Sequence, residues 1–225
     1  MTFAVLGRCP LRGQSGVAIT TSSIAIGARC PFVRAGVGAA STQNVTDPRL
    51  GPALLDHMEA GETPEMAMEA VTTADEYMDH RQLLAINLAG QTAHFTGAKA
   101  LGRSAAAKGL NCVAAGNLLA NDEVPQAMVN GFSTDQRTYL ADHLLAGLAA
   151  GLAAGGEVGS IHSAALQVAG DQDWPIVNLR VDWTEGDPIA ELEALWQMYV
   201  PQMEDYVTRA LDPDAAPSYG VPGDE

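Results

Sequence analysis

A threonine stands second in the chain, and removal of the initiator Met1 would make it the amino-terminal residue. Thr2 would then carry a hydroxyl nucleophile and a free α-amine on the same residue. An α-amine has a reference pKa of roughly 8, so near neutral pH it can take the hydroxyl's proton, a known way to activate a weak nucleophile. With Met1 retained, the hydroxyl has no such base. Further along, Ser41-Thr42-Gln43-Asn44 closes one apolar stretch and Gly116-Asn117 follows another. An Asn after Gly at a strand end can aim an amide N–H at a developing oxyanion, a strong contribution in acyl transfer. It can equally hold its own turn. Arg180 and Asp182 alternate with Leu179, Val181 and Trp183 and so share a strand face. There they could form an ion pair, orient a substrate or face solvent. Arg34, beside Pro31-Phe32, is the other well-placed cation. His94, ahead of Phe95-Thr96-Gly97, could exchange a proton or form half-buried sheet surface.

These residues need elements to position them. Phe3–Arg8 and Gly16–Thr21 are apolar runs around a Pro10–Gly13 turn, which predicts a hairpin. Runs near Ser23–Ala28 and Gly36–Thr42 predict a second strand pair around Pro31. The period then becomes helical: Leu54, Leu55 and Met58 share a face in Gly51–Ala60, as do Met66, Met68 and Val71 in Pro64–Ala74, with Pro52 and Pro64 near the helix starts. Strands return at Gln82–Ala89 and Thr92–Thr96 around Gly90, and at Asn111–Ala115. Helices follow over 124–132, capped by Asn121 or Asp122, and over 135–154, stopped by Gly155-Gly156. Ser163–Ala169 and Ile176–Trp183 read as strands, and 188–211 as a last helix. Strands gathered in hairpins with helix pairs between them predict an α+β fold, a four-layer α-β-β-α sandwich with mainly antiparallel sheets. Residues 1–211 are expected to form a single domain, and 212–225, rich in Pro, Asp and Gly, a mobile tail.

Composition narrows the function classes. Asp and Glu outnumber Lys and Arg, 27 to 12, for a formal charge of −15, and Lys occurs only at 99 and 108. Nucleic acid is therefore not an expected partner, because phosphate binding needs a basic patch. No 18-residue apolar run and no signal-peptide pattern is present, so no membrane association is expected. Cys9, Cys30 and Cys112 are odd in number and form no Cys-x-x-Cys pair, which predicts a cytoplasmic protein with buried thiols. The Gly-rich stretches contain no phosphate-binding or dinucleotide-binding motif. The five histidines, at 57, 80, 94, 143 and 162, lack metal-ligand spacing. Neither a cofactor nor a metal is expected.

Several stretches occur together in a recognisable order. They are Met1-Thr2-Phe3, Gly16-Val17-Ala18, and Arg34-Ala35-Gly36-Val37-Gly38-Ala39 with Thr42-Gln43. His94-Phe95-Thr96-Gly97, Ala115-Gly116-Asn117-Leu118-Leu119, Ser163-Ala164-Ala165-Leu166 and Leu179-Arg180-Val181-Asp182 follow. Over nearly the whole chain the sequence resembles DUF1028, an uncharacterised bacterial and archaeal family placed among the Ntn-hydrolase-like folds. The resemblance implies the α-β-β-α sandwich and makes Thr2 the leading nucleophile candidate, since Ntn hydrolases use a first-residue Thr, Ser or Cys. Proteasome-type members tune that nucleophile with a nearby Lys. Here Arg29 and Arg34 are the only nearby cations, and Arg cannot serve as a proton acceptor.

The reading that follows is an N-terminal-nucleophile amide hydrolase. Thr2 would attack a carbonyl, with Asn117 and the Gly116 or Asn117 backbone N–H stabilising the oxyanion. Thr42, Gln43 and Asp182 would hold the amine and substrate, Arg34 or Arg180 would bind a substrate carboxylate, and His94 could line the site. The expected substrate is a small amide, ureido compound or modified amino acid. The alternative is a protein of this fold that binds a small molecule or partner without hydrolysis. A homo-oligomer built on the Ala/Leu-rich helix 135–154 is a third reading.

Overall fold

The computed structural model describes residues 2–134 and 139–223. Strands β1 (Thr2–Cys9) and β2 (Gln14–Thr21) form the first hairpin, its turn closed by Gly13 at φ 61°. After β3 (Pro31–Arg34) and β4 (Gly38–Asn44) come α1 (Leu50–Glu59) and α2 (Pro64–Ala74). Strands β5 (Arg81–Asn87), β6 (Thr92–Thr96), β7 (Ala105–Gly109) and β8 (Cys112–Asn117) follow. The chain continues through α3 (Val124–Thr134), α4 (Leu140–Ala153), β9 (Ser163–Ala169), β10 (Val177–Val181), α5 (Pro188–Tyr199) and α6 (Met203–Leu211).

A six-stranded sheet in the order β10-β9-β2-β1-β8-β7 faces a four-stranded sheet in the order β3-β4-β5-β6, and the neighbouring strands in both pair antiparallel. Three apolar clusters glue four layers together. Phe3, Val5, Met128, Leu144 and Trp196 join α3, α4 and α5 to the large sheet. Ala4, Leu6, Ile19, Leu84 and Ile86 fill the space between the sheets. Leu54, Met68, Leu83 and Ala85 bind α1 and α2 to the small sheet. The layers are thus α-β-β-α, as the hairpin order predicts.

Four elements differ from the expectation. Ser23–Ala28 is no strand: Ala25 adopts a left-handed φ of 54° and Ile26–Ala28 forms a 3-10 turn. Ser163 holds that turn, its Oγ donating to the Ser23 carbonyl at 2.6 Å and accepting the Ile26 amide at 3.2 Å. Strand β7 has no β-branched or aromatic residue; it exists because β8 pairs with it and α3 packs on it. The last helix is two, α5 and α6, separated by a 3-10 turn at Val200–Gln202 where Pro201 lacks the N–H that would continue the ladder. The helix expected over 135–154 is α4, and residues 135–138 lie outside the described residues.

Candidate active site at the head of the central strand

Along β1 the side chains alternate. Phe3 and Val5 join the helix-facing core, whereas Ala4 and Leu6 face the other sheet. Thr2 continues the even-numbered face and sits between the sheets, 5% exposed. Register places a row of polar residues at its level: Asn117 on β8, Thr21 on β2 and, beyond Thr21, Ser163 on β9. The Thr2 and Thr21 hydroxyls share a hydrogen bond of 3.2 Å.

The small sheet answers with amides. Gln82 on β5 is fully buried; its Nε2 donates to Gly116 O and Thr96 Oγ1, both at 3.0 Å. Its Oε1 accepts from Gln43 Nε2 at 2.7 Å and Asn117 Nδ2 at 3.1 Å. Gln43 Nε2 also reaches Ala115 O at 3.3 Å. Gly116 has no room for a side chain, because a Cβ there would lie 2.6 Å from Leu119 and 2.9 Å from Phe3. The network leaves one acceptor over: Asn117 Oδ1 is buried and has no partner.

Glu157 lies at the same end. Its backbone bridges Leu119, just beyond β8, and Val158 N donates to Leu118 O at 2.9 Å. The residue is 5% exposed, and neither carboxylate oxygen has a hydrogen-bond partner. Burial pushes its carboxyl up to about 7; the charge of the amino terminus, the Ser22 hydroxyl and amide, and His162 pull the other way. His162 is anchored by its own amide to Thr21 O at 2.8 Å. Its Nδ1 meets Thr184 O at 2.7 Å, and its ring stacks on Trp183 with centroids 4.4 Å apart.

Of the residues singled out in the sequence, Thr2, Gln43, Gly116 and Asn117 come together here. The others stand elsewhere. Thr42 shares the face of Ala40 and Leu83, toward α1 and α2, where its hydroxyl is buried without a partner. Arg34 ends β3 opposite Gly38, at the far end of β4 and roughly 17 Å along that strand from Gln43, ion-paired to Asp56 at 2.8 Å and Glu59 at 2.7 Å. Arg180 and Asp182 pair with each other on edge strand β10, three strands from β1, with contacts of 3.0 and 2.8 Å. His94 is exposed on β6; partial burial and the Lys108 charge lower its pKa. Thr21, Gln82, Thr96 and Glu157 escaped the sequence reading. The turn around Pro10–Gly13 contained the signal for Thr21, since hairpin register follows from it. Among the described residues, no group of three His, Cys, Asp or Glu side chains could hold a metal ion, and no helix is long and apolar enough to cross a membrane. All three cysteines are free.

Fold and site together define an α-β-β-α sandwich with a threonine hydroxyl at the head of a central strand, facing a buried amide network. The chain belongs to DUF1028, described as a family of unknown function, which matches residues 2–192. It is similar to the crystal structure of protein SPO2555 from Silicibacter pomeroyi, also assigned to DUF1028. The two share 31% identity and a TM-score of 0.83 over 88% of this chain and 89% of that one. Anbu (ancestral beta-subunit) from Yersinia bercovieri aligns at 13% identity and a TM-score of 0.41 over 89% of this chain and 96% of that one, too distant a likeness to carry an argument. No curated protein matches the chain.

Proposed function

We infer that this protein is an N-terminal-nucleophile amidohydrolase acting on a small amide or ureido-type substrate through Thr2. The observation that carries the reading is the placement of Thr2: first in a central strand, side chain between the sheets, level with Asn117 and hydrogen-bonded to Thr21. With the residue ahead removed, the Thr2 Oγ1 attacks the substrate carbonyl carbon and its own α-amine takes the proton. One Asn117 Nδ2 hydrogen is engaged by Gln82. The other is available to the oxyanion, where a single well-placed donor is worth a hundredfold or more in rate. Collapse of the tetrahedral intermediate expels the amine and leaves an ester on Thr2. Water then hydrolyses the ester and restores the hydroxyl. Arg34 and Arg180 are both held in ion pairs, so the reading relies on neither to bind a substrate carboxylate.

The test is a protein released from a cleavable amino-terminal fusion so that it begins at Thr2, offered a panel of small amides. Amine or ammonia release, together with an acyl adduct mapped to Thr2 by mass spectrometry, supports the proposal. Equal turnover by Thr2→Ala overturns it. Binding without turnover is a second reading, favoured by the burial of Thr2 and, among the described residues, the absence of Lys and Arg from its hydrogen-bonded network. Saturable ligand binding that Thr2→Ala leaves intact, with no product formed, would establish that alternative.

A further inference from the structure

Among the described residues at this end of the sandwich, Glu157 is the one carboxylate that is both buried and without a hydrogen-bond partner. Its backbone is clipped to the extension of β8: Leu119 pairs with it, Ala120 N donates to Gly156 O at 3.0 Å, and Val158 N donates to Leu118 O. The carboxylate reaches Ser22, on the extension of β2. Strand β1 lies between β8 and β2. A side chain rooted beside one neighbour and ending beside the other must cross the head of β1. Ser22 follows Thr21, the partner of Thr2, so it lies just past the head of β1.

We propose that Glu157 is the positioning residue that holds the α-amino group of Thr2 once that group is free. An ammonium offers three N–H donors, and Glu157 supplies two oxygens that have no hydrogen-bond partner, with Ser22 close by. Attack by Oγ1 moves a proton onto the amine. The ammonium so formed is stabilised by a carboxylate a few ångströms away, and the amine is kept aimed along the strand. Besides the amine, the titratable group facing Glu157 is His162, on the segment leading into β9. The His162 Nδ1 is engaged by Thr184 O at 2.7 Å and lies 3.9 Å from Glu185 Oε2. This role rests on Thr2 being the nucleophile, but the arrangement can be measured without turnover.

The experiment follows the rate of trace acetylation of the Thr2 amine between pH 6 and 10, in protein that begins at Thr2 and in its Glu157→Gln variant. A carboxylate within a few ångströms raises the midpoint of an amine by about one pH unit or more. The variant is therefore expected to titrate that much lower. Identical midpoints overturn the proposal. If the variant fails to fold, the coupling is read from the other side, by carbon NMR of the Glu157 carboxyl in wild-type protein before and after acetylation of the amine. Its midpoint should rise when the positive charge is removed; an unmoved midpoint overturns the proposal. A Glu157-dependent amine in a protein that hydrolyses nothing sinks the hydrolase reading and leaves this arrangement standing. Turnover with an uncoupled amine does the reverse.

Discussion

In protein that retains Met1, and so lacks the free Thr2 amine, replacing Glu157 by Gln should raise stability, and only above acidic pH. In the folded chain the carboxyl is pushed from 4.5 up to about 7 by burial. In the unfolded chain it returns to its ordinary value. Between those two pH values the native state binds more protons than the unfolded state, so stability falls as pH rises through that window and levels off above it. At about 1.4 kcal/mol per pH unit, the penalty for this buried side chain is at most about 3 kcal/mol. Glutamine keeps the shape and the contact with Ser22 but has no charge to desolvate.

The assay is thermal and urea unfolding of both proteins at pH 4.5 and at pH 8.5. Near pH 4.5 the two should unfold together. At pH 8.5 the variant should lead by up to about 3 kcal/mol, or roughly 6–12 °C in midpoint for a chain of this size. Parallel profiles across the whole range would refute the claim that Glu157 is a buried, poorly solvated carboxyl. A variant that loses stability at high pH would show that the ionised side chain is instead well paired in the folded chain.

Gln82→Leu should destabilise by about 2–4 kcal/mol, because it removes the side-chain bond that Asn117 makes to Gln82 and those of Thr96 and Gln43 to the same residue; an unchanged urea midpoint would show the network to be idle. Gly38→Ala brings a Cβ within 2.1 Å of the Ile86 carbonyl oxygen, so β4 and β5 must part, at a cost of about 1–3 kcal/mol readable as a lower melting temperature. Burial pushes the Cys30 and Cys112 thiols up to about 11. Both should therefore resist iodoacetamide at pH 8 in folded protein and react once it is unfolded; native-state labelling at either would contradict their burial.

The layers were legible because hairpin turns and the switch between periods two and 3.6 are local signals. Which polar residues meet was not. Thr42 and Gln43 are neighbours in sequence, yet strand alternation sends Gln43 to the inter-sheet network and Thr42 to the α1–α2 side. A Ser-Thr-Gln-Asn cluster does not reveal its own phase. Gln82 opens an apolar run and reads as a strand boundary, although it is the residue that ties four side chains together. Glu157 follows Gly155-Gly156 and reads as part of a helix stop. Its reach across β1 depends on a bridge to Leu119, 38 positions earlier in the chain. Arg180 and Asp182 do share the face that alternation predicts, and they spend that proximity on each other.

The character of the inter-sheet space argues for a site at this end and not merely a polar plug. Its interior is lined by Ala4, Leu6, Val17, Ile19, Leu84 and Ile86, and the buried amides Asn117, Gln43 and Gln82 gather at the end where Thr2 and Thr21 stand. A network that serves packing alone closes on itself, because each buried acceptor left without a donor costs about 1–3 kcal/mol. The Gln43–Gln82 end does close, with donors matched to backbone carbonyls at 3.0–3.3 Å. The end nearest the head of β1 does not: Asn117 Oδ1 and both Glu157 oxygens are left over. All three of these atoms are acceptors, and together they call for a donor-rich group. An α-ammonium at the head of β1 answers them in charge, in hydrogen-bond number and in place.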